Sequence, residues 1–310
     1  MIDAVIRCYF IFVLLCYRIL KFFYRKFTGK CELIRISESY KSFSLPQERY
    51  DFITSIEKCL NRSRMKEMNL IDSTIPCIEK CLELSRIQIL SILSRKKINR
   101  NYYNELEVNK LSSSLLFLQI NHVTIDEIKR LRHNRVNFDD PLMVNEIRLI
   151  WENFFPDKQY PGTKSEEWKS IGFQGIDPIT DFRATGHCGL KSLLKISTLP
   201  NLENHSDDFD KGYPLAIVVI NLSDLLFRLM KNGKLKFKLW NLLYKDFFGT
   251  FPIKDDKKIT REDLQNVYFN WLIEVFQLFH EFWYEENRNI MMFNIYLRVF
   301  EADLVQKFSQ

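Results

Sequence analysis

The chain has 310 residues, of which 46% are hydrophobic and 14% are aromatic, and it contains only nine prolines. This composition excludes a disordered protein, which would be poor in aromatic residues, and it predicts a substantial buried core. Of the formal net charge of +6, residues 1–30 carry +5, so the rest of the chain is close to neutral. A near-neutral body argues against a nucleic-acid-binding face, which requires a basic stripe on the folded domain.

Residues 1–30 form a hydrophobic and basic segment, which we predict to be a helix that precedes one domain over residues 31–310. Its longest uncharged run, Cys8 to Tyr17, is well short of the roughly 20 residues that a membrane-spanning helix needs. The segment also lacks the charge order and the cleavage site of a signal peptide. Three interpretations stay open: residues 1–27 pack on the domain, lie in a membrane interface with their basic residues on anionic lipid, or form a short spanning anchor.

The next part of the chain reads as a series of helices. Gly29 is predicted to end the first helix, and a polar linker is expected up to about Pro46. From Gln47 onwards, apolar residues recur at a helical period. Pro76 is predicted to open another helix.

Three further helices are predicted at about 103–120, 124–134 and 141–155. The third has a clear start, because Asp140 can cap it and Pro141 occupies its first position. Its predicted buried stripe consists of Val144, Ile147, Leu149, Ile150, Trp151 and Phe154.

The second half of the chain continues this pattern. Thr163 and Glu166 have the spacing of a capping box, which predicts a short helix carrying Trp168. A helix is expected at about 186–197, followed by an acidic, polar insertion from Asn201 to Gly212.

The apolar run from Leu215 to Leu222 resembles a buried strand, but its pattern continues unbroken to Gly233 and therefore predicts a buried helix. No segment shows the period of two that is typical of strands, so the predicted fold class is all-α. The remaining predicted elements are a short helix, a charged loop and two long aromatic-rich helices, at 236–247, 250–260, 261–286 and 290–307.

The stretch from Glu166 to Leu190 differs from the rest of the chain because it holds four of the nine glycines. Glycine marks positions where the backbone takes a positive φ or where another segment comes close. With its Asp-Pro pair at 177–178, the stretch reads as a shaped loop between helices, which is a common place for function. The spacing alone favours a structural role for Arg183, bonded to loop carbonyls or to Asp177.

Other kinds of site find little support in the sequence. Phosphate-binding loops, dinucleotide fingerprints and zinc-protease helices are absent. The seven cysteines are scattered, which indicates free thiols in a reducing compartment and hence a cytoplasmic protein. His187 and Cys188 are adjacent on a predicted helix and point in different directions, so a nucleophile pair is not expected. Asp177 and Asp181 are interpreted as caps and turn stabilisers.

The residues from Trp168 to Leu190, Trp-x-x-Ile-Gly-Phe-Gln-Gly-x-Asp-Pro-x-Thr-Asp-Phe-Arg-x-x-Gly-x-x-Gly-Leu, closely resemble the motif of the ELMO (engulfment and cell motility) domain family. Similarity to the ELMOD branch of this family extends to four other segments, namely 28–35, 212–222, 235–239 and 282–285.

The resemblance implies an all-α protein that acts as a GTPase-activating protein for small GTPases of the Arf family, particularly Arl members. It also implies that Arg183 is the required arginine, supplied in trans to the active site of the GTPase. The protein would need no cofactor of its own, because GTP and Mg²⁺ reside on the partner. The residues implied to shape the loop or touch the partner are Trp168, Gly172, Phe173, Gln174, Gly175, Asp177, Pro178, Asp181, Phe182 and Gly186.

Two alternatives stay open beside GTPase activation. One is a non-catalytic scaffold, like the larger ELMO proteins that partner Dock-type exchange factors, although those proteins lack the loop arginine. The other is an adaptor that residues 1–27 recruit to an intracellular membrane. Ala184 departs from the family pattern, which has glycine after the arginine, and it would strain the loop if that position required a positive φ.

Overall fold

The computed structural model describes residues 2–63, 81–200, 212–255, 258–286 and 288–308, and every regular element in these ranges is helical. The predicted all-α class is therefore confirmed. The α-helices are α1 (Ile2–Thr28), α2 (Glu32–Ser39), α3 (Pro46–Asn61), α4 (Cys81–Arg95), α5 (Glu105–His133), α6 (Pro141–Phe154), α7 (Gly186–Ser197), α8 (Leu215–Lys231), α9 (Lys236–Leu242), α10 (Arg261–Glu285) and α11 (Phe293–Phe308).

Short helices of other types connect several of these elements. The 3₁₀ segments are Arg100–Tyr102, Glu166–Ile171, Pro178–Ala184 and Ile290–Met292, and a π-helical turn covers Leu243–Phe248.

The chain divides into two compact units. The first consists of Met1–His122 and Leu239–Ile259, and the second of Val123–Lys238 and Thr260–Gln310. The boundary predicted at residue 30 falls inside the first unit, and it stays a prediction. None of the helices in the described ranges combines the length and the apolar character needed to cross a membrane.

Two predicted breaks in the helical pattern are wrong. The expected linker before Pro46 contains helix α2, because Leu33 and Ile34 are fully buried on one face of a short amphipathic turn. The two helices predicted at 103–120 and 124–134 form the single helix α5. No glycine or proline interrupts the chain between them, so the backbone hydrogen bonds continue.

Two local predictions also need correction. Ser165, and not Thr163, caps the 3₁₀ helix of Trp168, since its hydroxyl accepts a hydrogen bond from the amide of Glu167 at 3.2 Å.

The predicted cap of α6 by Asp140 is confirmed, since its carboxylate accepts a hydrogen bond from the amide of Leu142 at 2.9 Å. In the predicted stripe, however, Val144 is only half-buried and Leu149 is exposed, since the buried face runs through Met143 and Glu146.

The predictions for the second half of the chain are largely confirmed. Helix α7 has the predicted bounds, and the run from Leu215 is the helix α8, not a strand. The predicted helix start at Pro76 and most of the predicted insertion at 201–212 lie outside the described residues.

Helix α7 occupies the centre of the second unit. It contacts α6, α8 and α10 as well as the 3₁₀ helix Pro178–Ala184. Most of its residues are buried, including its first five. The 3₁₀ helix that carries Arg183 is thus attached directly to the N-terminal end of a core helix, which fixes its position relative to the unit.

Candidate functional site at the arginine loop

The loop from residue 165 to residue 185 forms the later part of the connection between α6 and α7 and lies within the second unit. It contains two 3₁₀ helices separated by a bend that begins at Gly172, where φ is +93°. A Cβ atom at Gly172 would lie 2.5 Å from the amide nitrogen of Leu215. Glycine is therefore required here both for its conformation and for the close approach of α8.

A column of buried aromatic rings supports the loop from below. Its rings meet edge to face, with centroid distances of 5.3 Å from Trp151 to Trp168, 5.7 Å from Trp168 to Phe173 and 5.7 Å from Phe173 to Phe182. Trp168 is completely buried, and its indole nitrogen donates a hydrogen bond to the carbonyl of Gly162 at 3.0 Å. Because Phe182 directly precedes Arg183, this column anchors the backbone beside the arginine.

Carboxylates of the loop hold its two halves together. Asp181 accepts a hydrogen bond from the amide of Gln174 at 2.9 Å, across the bend. Asp177 caps the second 3₁₀ helix through the amide of Ile179 at 3.2 Å and also pairs with Lys164 at 3.0 Å. Both aspartates thus bond to the protein itself, and no cluster of three or more metal-ligating side chains occurs in the described ranges.

Arg183 projects from this supported loop into solvent. Its Nε donates to the carbonyl of Thr180 at 2.7 Å, one turn earlier, which orients the guanidinium plane. Within the described part of the chain, its two terminal nitrogens have no acceptor or ion-pair partner. Only Nε therefore has the structural role that the spacing suggested, which is a bond to a loop carbonyl. The two terminal nitrogens can still donate to a carboxylate or phosphate of another molecule.

Ala184 causes no backbone strain in this loop. It ends the 3₁₀ helix Pro178–Ala184, and among the described non-glycine residues only Lys97 has a positive φ. The positive φ that would have made alanine unfavourable after the arginine is absent. The backbone at Ala184 is also held by Arg132, which donates a hydrogen bond to the carbonyl of Ala184 at 3.1 Å.

Arg132 is a residue of the site that sequence reasoning missed. It lies in the last turn of α5, and besides Ala184 it binds Asp224 of α8 at 2.6 Å. Its guanidinium also stacks over the ring of Phe227, 4.6 Å from the centroid. No local motif marks Arg132, because its partners are 52 and 92 residues away in the chain.

A buried ion cluster lies behind the loop, at the start of α7. The Nε2 atom of His187 is 2.5 Å from a carboxylate oxygen of Glu146, and Lys191 is 3.3 Å from the other oxygen. The backbone amide of His187 donates to the carbonyl of Asn134 at 2.8 Å.

Cys188, the next residue, points towards Ser223, and burial raises the pKa of its thiol. The imidazole of His187 therefore bonds to Glu146, whereas the thiol of Cys188 contacts Ser223.

We expect the Glu146→Gln variant to lose stability in a pH-dependent way. Burial alone would raise the pKa of Glu146, but the hydrogen bond to His187 and the charge of Lys191 outweigh it and lower that pKa. A lowered pKa stabilises the fold fully above the unfolded-state pKa, and this contribution is lost as the pH falls through the folded-state pKa. Urea unfolding should therefore show a deficit of about 1–3 kcal/mol at pH 7 that shrinks below pH ~4.3.

Glu152→Gln serves as the matched control for this prediction, because Glu152 lies on the same helix and is half-exposed beside Arg148. We expect it to change the free energy of unfolding by less than about 0.5 kcal/mol at either pH. A deficit of Glu146→Gln that persists unchanged at low pH would contradict the assigned role of the carboxylate.

Some of the predicted loop residues are buried and others are exposed. Pro178 and Gly186 are buried with the aromatic column, whereas Gln174, Thr180 and Arg183 are exposed. Gly175 has neither a positive φ nor a close neighbour, so nothing in its surroundings demands glycine. The exposed side chains of Gln174, Thr180 and Arg183 are accessible to a partner.

The fold and the site define a class, namely a helical protein with an exposed arginine on a surface loop that buried aromatic rings and hydrogen bonds hold in place. Residues 126–297 match the ELMO/CED-12 family, and the chain belongs to this family.

Similar proteins cover most of the chain. It is 28% identical to ELMO domain-containing protein 2 of Homo sapiens, over 92% of this chain and 89% of that protein. It is also 28% identical to ELMO domain-containing protein 1 of Mus musculus, over 97% of this chain and 90% of that protein. ELMO domain-containing protein B of Dictyostelium discoideum is 30% identical over 56% of this chain and 57% of its own length. No solved structure shows significant similarity to the chain.

Proposed function

We propose that this protein is a GTPase-activating protein for small GTPases of the Arf/Arl group and that Arg183 completes the active site of the partner. The observation that carries the proposal is the exposed guanidinium of Arg183, whose Nε lies 2.7 Å from the carbonyl of Thr180 and whose two terminal nitrogens have no hydrogen-bond partner among the described residues. Membership of the ELMO/CED-12 family supports the proposal, because the motif around Arg183 resembles that of the ELMOD activators.

The chemistry requires charge stabilisation and no covalent step on this protein. In GTP hydrolysis, water attacks the γ-phosphorus and the bond to the β–γ bridging oxygen breaks, which yields GDP and inorganic phosphate. Negative charge is therefore carried in the transition state by the departing bridging oxygen and by the γ-phosphoryl oxygens. A planar guanidinium can donate two parallel hydrogen bonds to such oxygens. Mg²⁺ and GTP belong to the partner, and the activator supplies only the arginine and the surface that positions it.

The braced loop suits this task because a catalytic donor must be in place before the transition state forms. Asp181 fixes the bend, Phe182 anchors the backbone in the aromatic column, and Arg132 holds the carbonyl of Ala184 at 3.1 Å. A donor that is already oriented needs little reorganisation during the reaction. The exposed Gln174 and Ile176 on the same loop provide a polar and an apolar contact for the GTPase surface.

The proposed place of action is the cytoplasm, at the surface of an intracellular membrane. The basic N-terminal segment, with +5 of the formal charge of +6, is the part of the chain that suits such a surface.

The test is single-turnover hydrolysis with purified Arf and Arl proteins loaded with GTP. We expect the full chain to accelerate hydrolysis on at least one of them by about 10³-fold or more. A small GTPase from outside the Arf group, treated in the same way, serves as the control and should keep its intrinsic rate.

The alternatives give different results in the same experiment. A scaffold would bind the GTP-loaded protein tightly without any change in hydrolysis rate. An adaptor that uses residues 1–27 would neither bind nor accelerate any member of the panel in solution. Either outcome across the whole Arf and Arl panel would contradict the proposal.

A further inference from the structure

Helix α1 attaches to the rest of the first unit through its polar face. The hydroxyl of Tyr17 and the ammonium of Lys21 both bond to the carboxylate of Glu32 on α2, and Arg25 bonds to the carbonyl of Lys96. These three residues of α1 are spaced by four positions and therefore lie on one side of the helix. The side chains that hold α1 in place are thus polar, which reverses the usual arrangement of a surface helix.

The opposite side of α1 is apolar and uncovered. With 100° per residue, it carries Phe12, Leu15, Ile19, Phe22 and Phe23. These five side chains, which we call the apolar face of α1, are between 49% and 65% exposed. A contiguous apolar surface of this kind on a soluble domain marks an interaction site.

The charges near the apolar face identify its partner. Lys26 is exposed on the same side of the helix, whereas Arg7 is exposed near its beginning, on the side of Arg25. Residues 1–30 carry a net charge of +5, so pairing of two copies through this face would bring like charges together. Anionic lipid complements both properties, because its acyl chains accept the apolar side chains and its headgroups attract lysine and arginine.

We propose that α1 lies in the interface of an anionic bilayer, with its apolar face inserted among the lipids and Tyr17, Lys21 and Arg25 holding it to the first unit. Phenylalanine side chains enter the boundary between headgroups and acyl chains, and the long stem of Lys26 lets its ammonium reach the headgroups. This proposal combines the packed and the interfacial interpretations of residues 1–27, one for each face of the same helix. This inference goes beyond the proposed GTPase activation and does not depend on Arg183.

The test is co-sedimentation of the full chain with vesicles of phosphatidylcholine alone or mixed with phosphatidylserine. We expect binding to the mixed vesicles that weakens as the salt concentration rises. The variant Ile19→Glu,Phe22→Glu should bind at least about tenfold more weakly, because it places two charges on the inserted face. Lys26→Gln should weaken binding to the mixed vesicles and leave the weak binding to phosphatidylcholine unchanged.

The matched control is Leu142→Glu, since Leu142 is an exposed apolar residue on α6 in the second unit, and vesicle binding should be unaffected. Circular dichroism checks that each variant keeps the helical content of the wild type. Equal binding of the wild type and the double variant would overturn the inference. Concentration-dependent dimers that the double variant abolishes, without vesicle binding by the wild type, would overturn it in favour of a second copy. Hydrolysis assays without vesicles report on Arg183 independently.

Discussion

Replacing Arg183 by lysine is expected to remove nearly all of the stimulated GTP hydrolysis, a loss on the order of 10³-fold. Lysine retains the positive charge but lacks the planar fork and the Nε donor, which lies 2.7 Å from the carbonyl of Thr180. Without this bond the side chain is not oriented, and a single ammonium cannot make two parallel hydrogen bonds to phosphoryl oxygens. Single-turnover rates on the GTPase that responds to the wild type measure the effect.

Three comparisons make this result specific. Arg183→Ala should be as inactive as the lysine variant, because the fork and not the charge carries the effect. Arg298→Lys changes another exposed arginine of the second unit, on α11, and should retain the full rate. The midpoint of urea unfolding should be the same as that of the wild type for Arg183→Lys, Arg183→Ala and Arg298→Lys, since both arginine side chains are exposed. Equal rates for the wild type and Arg183→Lys would contradict the catalytic role.

Gly186→Ala, at the junction of the loop and α7, is expected to be strongly destabilising, with a loss of about 2–5 kcal/mol in the free energy of unfolding. Gly186 has a φ of +55° at the first position of α7. A Cβ atom there would lie 2.6 Å from the carbonyl oxygen of Asn134, and closer still to that of Arg132. Both neighbours are backbone atoms, so relief would require the end of α5 to move. We also expect lower stimulated hydrolysis, since Arg132 holds the carbonyl of Ala184.

Gly175→Ala, in the loop that precedes α7, provides the matched control. Gly175 has an ordinary φ, and nothing lies within 4 Å of a Cβ atom built on it. The change should alter the free energy of unfolding by less than about 0.5 kcal/mol. Denaturation in urea compares the two variants, and similar midpoints for both would show that Gly186 tolerates a side chain.

Much of the fold could be predicted because its signals are local. Asp140 and Pro141 specify the start of α6 through a side-chain cap and a fixed φ, and both act within one helical turn. The unbroken apolar run from Leu215 predicted a buried helix, and α8 is one. Local signals failed where burial decided instead, as for α2, which forms because Leu33 and Ile34 pack into the first unit.

The candidate site divides in the same way. The glycines and the single arginine between Trp168 and Leu190 predicted a shaped loop around Arg183, because those residue types restrict the backbone by themselves. The sequence could not predict which guanidinium nitrogens are free, since that depends on how the loop turns back to Thr180. The sequence also did not show whether the backbone at Ala184 has a positive φ. The structure shows that it does not, because Ala184 belongs to a 3₁₀ helix.

By itself, the sequence of this protein determined the helical class, most helix positions and the arginine loop, because periodicity, caps and glycines act over a few residues. Only the tertiary structure decided that Arg132 holds the carbonyl of Ala184 at 3.1 Å and that Glu146 lies 2.5 Å from His187. It also decided that α1 turns its polar side inwards. These features depend on contacts between segments that are distant in the chain, and one chain's residue order carries no local signal for such contacts.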